Sequence, residues 1–156
     1  MKGNQIGLFT VGDSEVIFKD YIYNPEMSDV FVVMQFSEPY NSLYEEVIVN
    51  VTKEFKLNPL RSDDVFGPGI ILQDIVKKII ESSIIIAEIS PTNPNVFYEL
   101  GYAHALKKPT ILLAEKGQSL PFDIQGYRVI FYENTIKGKK SVEENLRKHL
   151  KAIIGN

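Results

Sequence analysis

With 156 residues, 44% of them hydrophobic and 24% charged, the chain has the size and composition of one globular domain with a sizeable core. Its formal charge of -3 gives no basic field for a nucleic-acid backbone, and zero cysteines exclude disulfide scaffolds, thiolate metal sites and thiol nucleophiles. His104 and His149 are too far apart for an easy zinc site, no apolar run approaches the roughly 18–20 residues that span a bilayer, and the N-terminus lacks a signal-peptide core. The composition therefore predicts a cytoplasmic domain with no metal or cofactor, binding neither nucleic acid nor membrane.

Residues 1–28 stand apart as an N-terminal extension. Ile6–Val11 and Glu15–Phe18 flank Gly12-Asp13 as a hairpin would, while Tyr21, Ile22 and Tyr23 suit a short helix equally well. From residue 29 to 156 strands and helices alternate. Asp29 to Phe36 is a continuous apolar run, the pattern of a strand buried on both faces. Leu43, Val47, Val51 and Phe55 then recur every four residues and predict an amphipathic helix.

Leu57–Arg61 reads as a second strand ending in Ser62-Asp63-Asp64, and Gly67-Pro68-Gly69 opens a second helix. That helix carries two apolar stripes, Ile71, Ile75, Ile79 and Leu72, Val76, Ile80, which predict deep burial. Ser83–Ile89 is the third strand. Asn93 as N-cap and Pro94 as first helical residue predict the third helix. Pro109–Ala114 and Gly126–Tyr132 complete five strands. Ser141-Val142-Glu143-Glu144 reads as a capping box for a last helix with Val142, Leu146, Leu150 and Ile153 inside. The alternation predicts an α/β, flavodoxin-like three-layer sandwich whose five-stranded parallel sheet has the order 2-1-3-4-5.

In such a sheet ligands bind beyond the carboxyl ends of the strands, where the strand order reverses. Gln35-Phe36-Ser37, Arg61-Ser62-Asp63-Asp64 and Glu88-Ile89-Ser90 are the polar clusters expected on that rim. The third helix adds Glu99. It lies too deep for a first-turn dipole complement and has no cation three or four positions away, which leaves a solvated surface carboxylate or a reactive group as the two readings. Gly101 beside it points to close approach by a ligand or backbone. Arg61 can hold a phosphate bidentately or bridge to Asp63 or Asp64. Gly67-Pro68-Gly69 offers backbone N–H groups but lacks the rest of a phosphate-binding motif. His104, five residues from Glu99, falls on another side of the helix and reads as a packing or surface residue.

The run Asn93-Pro94-Asn95-Val96-Phe97-Tyr98-Glu99-Leu100-Gly101-Tyr102-Ala103-His104-Ala105-Leu106, followed by Lys108-Pro109, resembles the signature of nucleoside 2-deoxyribosyltransferase-like proteins, a superfamily close in fold to TIR-like domains. The likeness extends back through Val32-Val33-Met34-Gln35-Phe36, Tyr44 and Arg61-Ser62-Asp63-Asp64, and so spans about residues 29 to 114. It implies that Glu99 attacks or stabilises the anomeric carbon of a ribosyl group and that Asn93 and Asn95 contact sugar hydroxyls. Phe36, Arg61, Asp63, Asp64 and Glu88 are the further candidates for substrate binding.

Three departures stand out: Glu88 where the superfamily usually has Asp, Gln35 where it often has Pro, and Lys107 where it often has Gly. The resemblance implies cleavage or transfer of an N-glycosidic bond of a nucleoside, nucleotide or dinucleotide such as NAD, in a homo-oligomer whose subunits complete each other's sites. The rival expectation is a nucleotide-sensing or assembly module, without turnover, of a TIR-like defence or signalling system.

Overall fold

The computed structural model describes residues 28–64 and 71–155. The N-terminal extension and Gly67-Pro68-Gly69 lie outside the described residues. Five parallel strands, β1 (Ser28–Val33), β2 (Leu57–Arg61), β3 (Ile84–Glu88), β4 (Thr110–Glu115) and β5 (Val129–Tyr132), form one sheet in the order β2-β1-β3-β4-β5. This is the order expected from the alternation of strands and helices. Val30 pairs with both Pro59 and Ile84, and Ile85 with Thr110, so β1 and β3 sit at the centre. β1 ends sooner than its apolar run, at Val33, which releases Met34, Gln35 and Phe36 onto the rim.

Helices cover both faces. α1 is one rod built of Tyr40–Leu43, a π-helical stretch Tyr44–Ile48, and Val49–Glu54. The wider π turn lets Tyr44, Val47, Ile48 and Val51 all face inward. α2 (Ile71–Glu81) and α3 (Pro94–Ala105) lie on the opposite face, and α4 (Ile136–Ile154) packs beside α1. Two apolar layers result. Val30, Val32, Ile84, Ile86, Ile111 and Leu113 meet α1 and α4, while Phe31, Val33, Ile85, Ala87 and Leu112 meet α2 and α3. No helix among the described residues is long and apolar enough to cross a membrane.

Two expectations are corrected. α2 is not buried on both stripes: Ile79 is fully buried, but Leu72 and Ile80 are about half exposed, at 45% and 50%. Nor does the last helix begin at Ser141. Thr135 is its N-cap, with Oγ1 accepting from the Gly138 N–H at 3.0 Å, so Ser141 lies inside the helix. A Cβ on Gly138 would stand 1.8 Å from the Glu133 carbonyl oxygen, so glycine here is a steric requirement of the tight entry. Gly138→Ala is expected to destabilise the fold by about 2 kcal/mol or more, measured by chemical denaturation, because the obstacle is backbone and cannot rotate away.

The end of α3 explains Lys107. The Lys108 N–H donates to the Ala103 carbonyl at 3.0 Å and the Lys107 N–H to the His104 carbonyl at 2.9 Å, a Schellman closure. Lys107 therefore takes φ 55°, the left-handed region that glycine occupies without cost. Lys107→Gly is expected to raise stability by about 0.5–1 kcal/mol in the same denaturation assay.

Candidate active site

The rim above β1, β2 and α3 encloses a cavity of about 430 Å³, within the range of small-molecule sites. Its polar lining comes from Gln35, Ser62, Asn93, Asn95 and Glu99, its apolar lining from Met34, Phe36, Leu72, Ile75, Val96 and Tyr98. The half-exposed Leu72 is thus part of the cavity wall. α3 enters this wall through its cap: Asn93 Oδ1 accepts from the Asn95 N–H at 3.0 Å and Pro94 opens the helix. Asn93 Nδ2 also reaches Gln35 Oε1 at 3.5 Å, and Gln35 Nε2 donates to Ser37 Oγ at 2.9 Å.

Glu99 is not a solvated surface carboxylate. It is 8% exposed, and among the described residues it makes no hydrogen bond and no ion pair. Burial alone pushes its carboxyl up to about 7. An ionisable group held near neutrality on the wall of a cavity is a candidate for a functional position.

Arg61 and Asp63 satisfy one another. Arg61 Nε donates to Asp63 Oδ1 at 2.6 Å and Nη2 to Oδ2 at 2.5 Å, while Nη1 donates to Asn41 Oδ1 at 2.9 Å. The guanidinium also lies 5.1 Å from the Phe36 ring centre and 4.5 Å from that of Tyr44. Of the two readings of Arg61, the geometry shows the bridge. It ties the end of β2 to the start of α1 and holds Phe36 at the cavity. Arg61→Lys is expected to cost about 2 kcal/mol in denaturation, because an ammonium cannot keep the forked pair or the stacking. Asp64 closes the short turn Ser62–Asp64, and its side chain lies outside the described residues.

Glu88 does not reach this cavity. The pleat of β3 sends Ile85 and Ala87 toward α3 and Ile84, Ile86 and Glu88 toward α1 and α4. Fully buried there, its Oε1 accepts from the Ser90 Oγ hydroxyl, from the Ser90 N–H at 3.2 Å and from the Tyr132 hydroxyl at 3.0 Å. Oε2 has no partner among the described residues. Burial pushes this carboxyl up to about 7, against the opposing effect of those hydrogen bonds. Burial and the neighbouring Glu88 and Glu115 raise the Tyr40 phenol, and those causes also raise Tyr132. The rim thus gathers Phe36, Asn93, Asn95 and Glu99 and leaves Glu88 with Ser90 on the other side of the sheet.

The remaining residues fall into place around this division. His104 stacks on Tyr127, with ring centres 4.3 Å apart and planes 6° from parallel. The two line a separate hollow of about 420 Å³ that also borders Gly101 and has no buried carboxylate. A Cβ on Gly101 would meet nothing within 4 Å, so no close approach by backbone explains that glycine. The cavity takes in Gln35 and Ser62 from the polar clusters expected on the rim, while sequence reasoning passed over Met34, Leu72, Ile75 and Val96 as lining residues. The early end of β1, at Val33, is the signal that would have found Met34. Among the described residues no cluster of three or more His, Cys, Asp or Glu side chains is placed to hold a metal ion.

Known structures share this fold. A CMP N-glycosidase of Clostridium botulinum superposes with a TM-score of 0.63 at 19% identity, over 78% of this chain and 99% of its own. A 2-deoxyribosyltransferase of Bacillus psychrosaccharolyticus gives 0.58 at 14% identity, over 74% and 90% of the two chains. The TIR domain of a Toll-related receptor of Hydra magnipapillata gives 0.60 at 14% identity, over 80% and 96%. The chain has the nucleoside 2-deoxyribosyltransferase/TIR-like fold. No protein-family model matches the sequence, and no curated protein does either. At these identities the likeness establishes the fold, and the chemistry has to be argued from the cavity.

Proposed function

We propose that this chain cleaves or transfers the N-glycosidic bond of a nucleoside, nucleotide or dinucleotide, with Glu99 as the carboxylate at the anomeric carbon. The observation that carries the reading is Glu99 itself: a buried carboxylate, without a partner among the described residues, on the wall of a cavity of about 430 Å³. Breaking a C–N glycosidic bond develops positive charge at the anomeric carbon. An ionised carboxylate beside it stabilises that charge or captures it as a glycosyl ester, which water or an acceptor base then resolves. In the first step the C1′–N bond breaks and its electron pair leaves with the base, which takes up a proton. In the second, the incoming nucleophile restores the free carboxylate.

Phe36 and Tyr98 supply aromatic surface for a base, and Asn93, Asn95 and Gln35 supply amides for sugar hydroxyls. Similarity to a CMP N-glycosidase and to a 2-deoxyribosyltransferase supports this class of chemistry. Assembly as a homo-oligomer belongs to the same reading. The test is to incubate the protein with nucleosides, nucleotides and NAD, with and without acceptor bases, and to follow free base by mass spectrometry. Base release or exchange is the expected result. Binding of a nucleotide with no release under any condition would instead favour a sensing module, a reading that the TIR-domain likeness supports.

A further inference from the structure

The charges around the Glu99 cavity narrow the substrate, given the reading above. Among the described residues no lysine or arginine lines the cavity. Arg61 is the cation next in sequence to the lining residue Ser62, and its Nε, Nη1 and Nη2 donate to Asp63 and Asn41. Residues 65–70, which link the turn after β2 to α2, contain no lysine or arginine either.

A helix N-terminus is the other common means of holding a phosphate, and α3 offers one poorly suited to it. Pro94 has no N–H, the Asn95 N–H is taken by Asn93 Oδ1, and the Phe97 N–H donates to the Asn93 carbonyl. Val96 is left as the only open donor of that first turn. The charged group on the cavity wall is the Glu99 carboxylate, which must be ionised to act at the anomeric carbon.

From this geometry we infer that the site takes an uncharged N-glycoside, a nucleoside with a free 5′-hydroxyl, and discriminates against its 5′-phosphate and against dinucleotides. A 5′-phosphate lies within the breadth of one sugar from the anomeric carbon. It would share the cavity with Glu99 and meet no lysine or arginine among the described lining residues to offset the repulsion or replace its water. The free hydroxyl needs only an amide or hydroxyl partner, and Ser62, Gln35, Asn93 and Asn95 provide these chemistries.

The test presents the wild-type protein at about pH 8, where Glu99 is ionised, with equimolar pairs of a nucleoside and its 5′-monophosphate. Uridine with UMP, cytidine with CMP, and deoxyadenosine with dAMP are suitable, with base release read by chromatography and binding by calorimetry. The expected result is a preference for the nucleoside on the order of tenfold to a hundredfold. Leu72→Arg and Tyr98→Arg each place a cation at an exposed position on the wall, and are expected to narrow or reverse that preference. A monophosphate used as well as or better than its nucleoside overturns this inference and leaves the glycosidic reading standing. If no member of any pair binds or releases base, the glycosidic reading fails and this one fails with it. If neither arginine variant shifts the ratio, the electrostatic origin of the discrimination is overturned.

Discussion

Glu99→Gln is expected to abolish base release, by on the order of 10³-fold or more in kcat, while leaving the protein folded. The amide keeps the shape of the side chain but can neither attack nor stabilise the cation at the anomeric carbon. The same substitution separates function from stability. The folded carboxyl titrates at about 7 against an ordinary value of 4.5, so ionising it in place opposes folding. Its stability contribution is complete below the unfolded value and is lost as pH rises through the folded one. At about pH 8 the glutamine variant should therefore be more stable than wild type, by up to about 2–3 kcal/mol, and the gap should close toward pH 5. Activity of the wild type should run the other way, rising across neutrality as the carboxylate forms. Paired pH profiles of kcat/KM and of thermal midpoint check both halves. Activity that survives in Glu99→Gln would remove Glu99 from the chemistry.

Glu88 should behave oppositely in its alanine and glutamine forms. Glu88→Ala removes the acceptor for the Tyr132 hydroxyl and for both Ser90 donors, and opens space in the core beneath α1 and α4. A loss of about 3 kcal/mol or more is expected in denaturation near pH 5, narrowing as pH rises through neutrality and the wild-type carboxyl ionises. Glu88→Gln keeps the Oε1 acceptor and removes the titrating charge. Because this carboxyl also titrates at about 7, the sign is that of Glu99: stability falls as pH rises through neutrality. The glutamine variant should gain up to about 2–3 kcal/mol at about pH 8 and little near pH 5. Since Glu88 lies outside the Glu99 cavity, the glutamine variant should also keep its substrate preference. A changed preference would mean that the two faces of β3 are coupled.

The sheet order and the α3 cap were legible because they rest on strong local signals: continuous apolar strands, and Asn93 before Pro94. The side of the sheet that Glu88 takes was not. A strand buried on both faces, as β3 is from Ile84 to Glu88, carries no polar alternation, and one residue of uncertainty in the pleat reverses every side chain. The start of α4 was hidden for a different reason. Ile136-Lys137-Gly138-Lys139 looks like a loop, and the true cap, Thr135, works through the N–H of a glycine that only close backbone contact requires. Ser141 with Glu144 imitated a capping box one turn and more downstream. The role of Arg61 needed three dimensions, since Asn41, Phe36 and Tyr44 approach it from other elements.

The two buried acids sit on either side of the same β3–loop–α3 unit, and burial keeps each partly protonated in the folded chain at neutrality. The unfolded chain would hold almost no proton on either. Unfolding at about pH 7 should accordingly eject on the order of one proton into the medium. The calorimetric heat of unfolding would then depend on the buffer that receives it, differing between phosphate and Tris by their heats of ionisation.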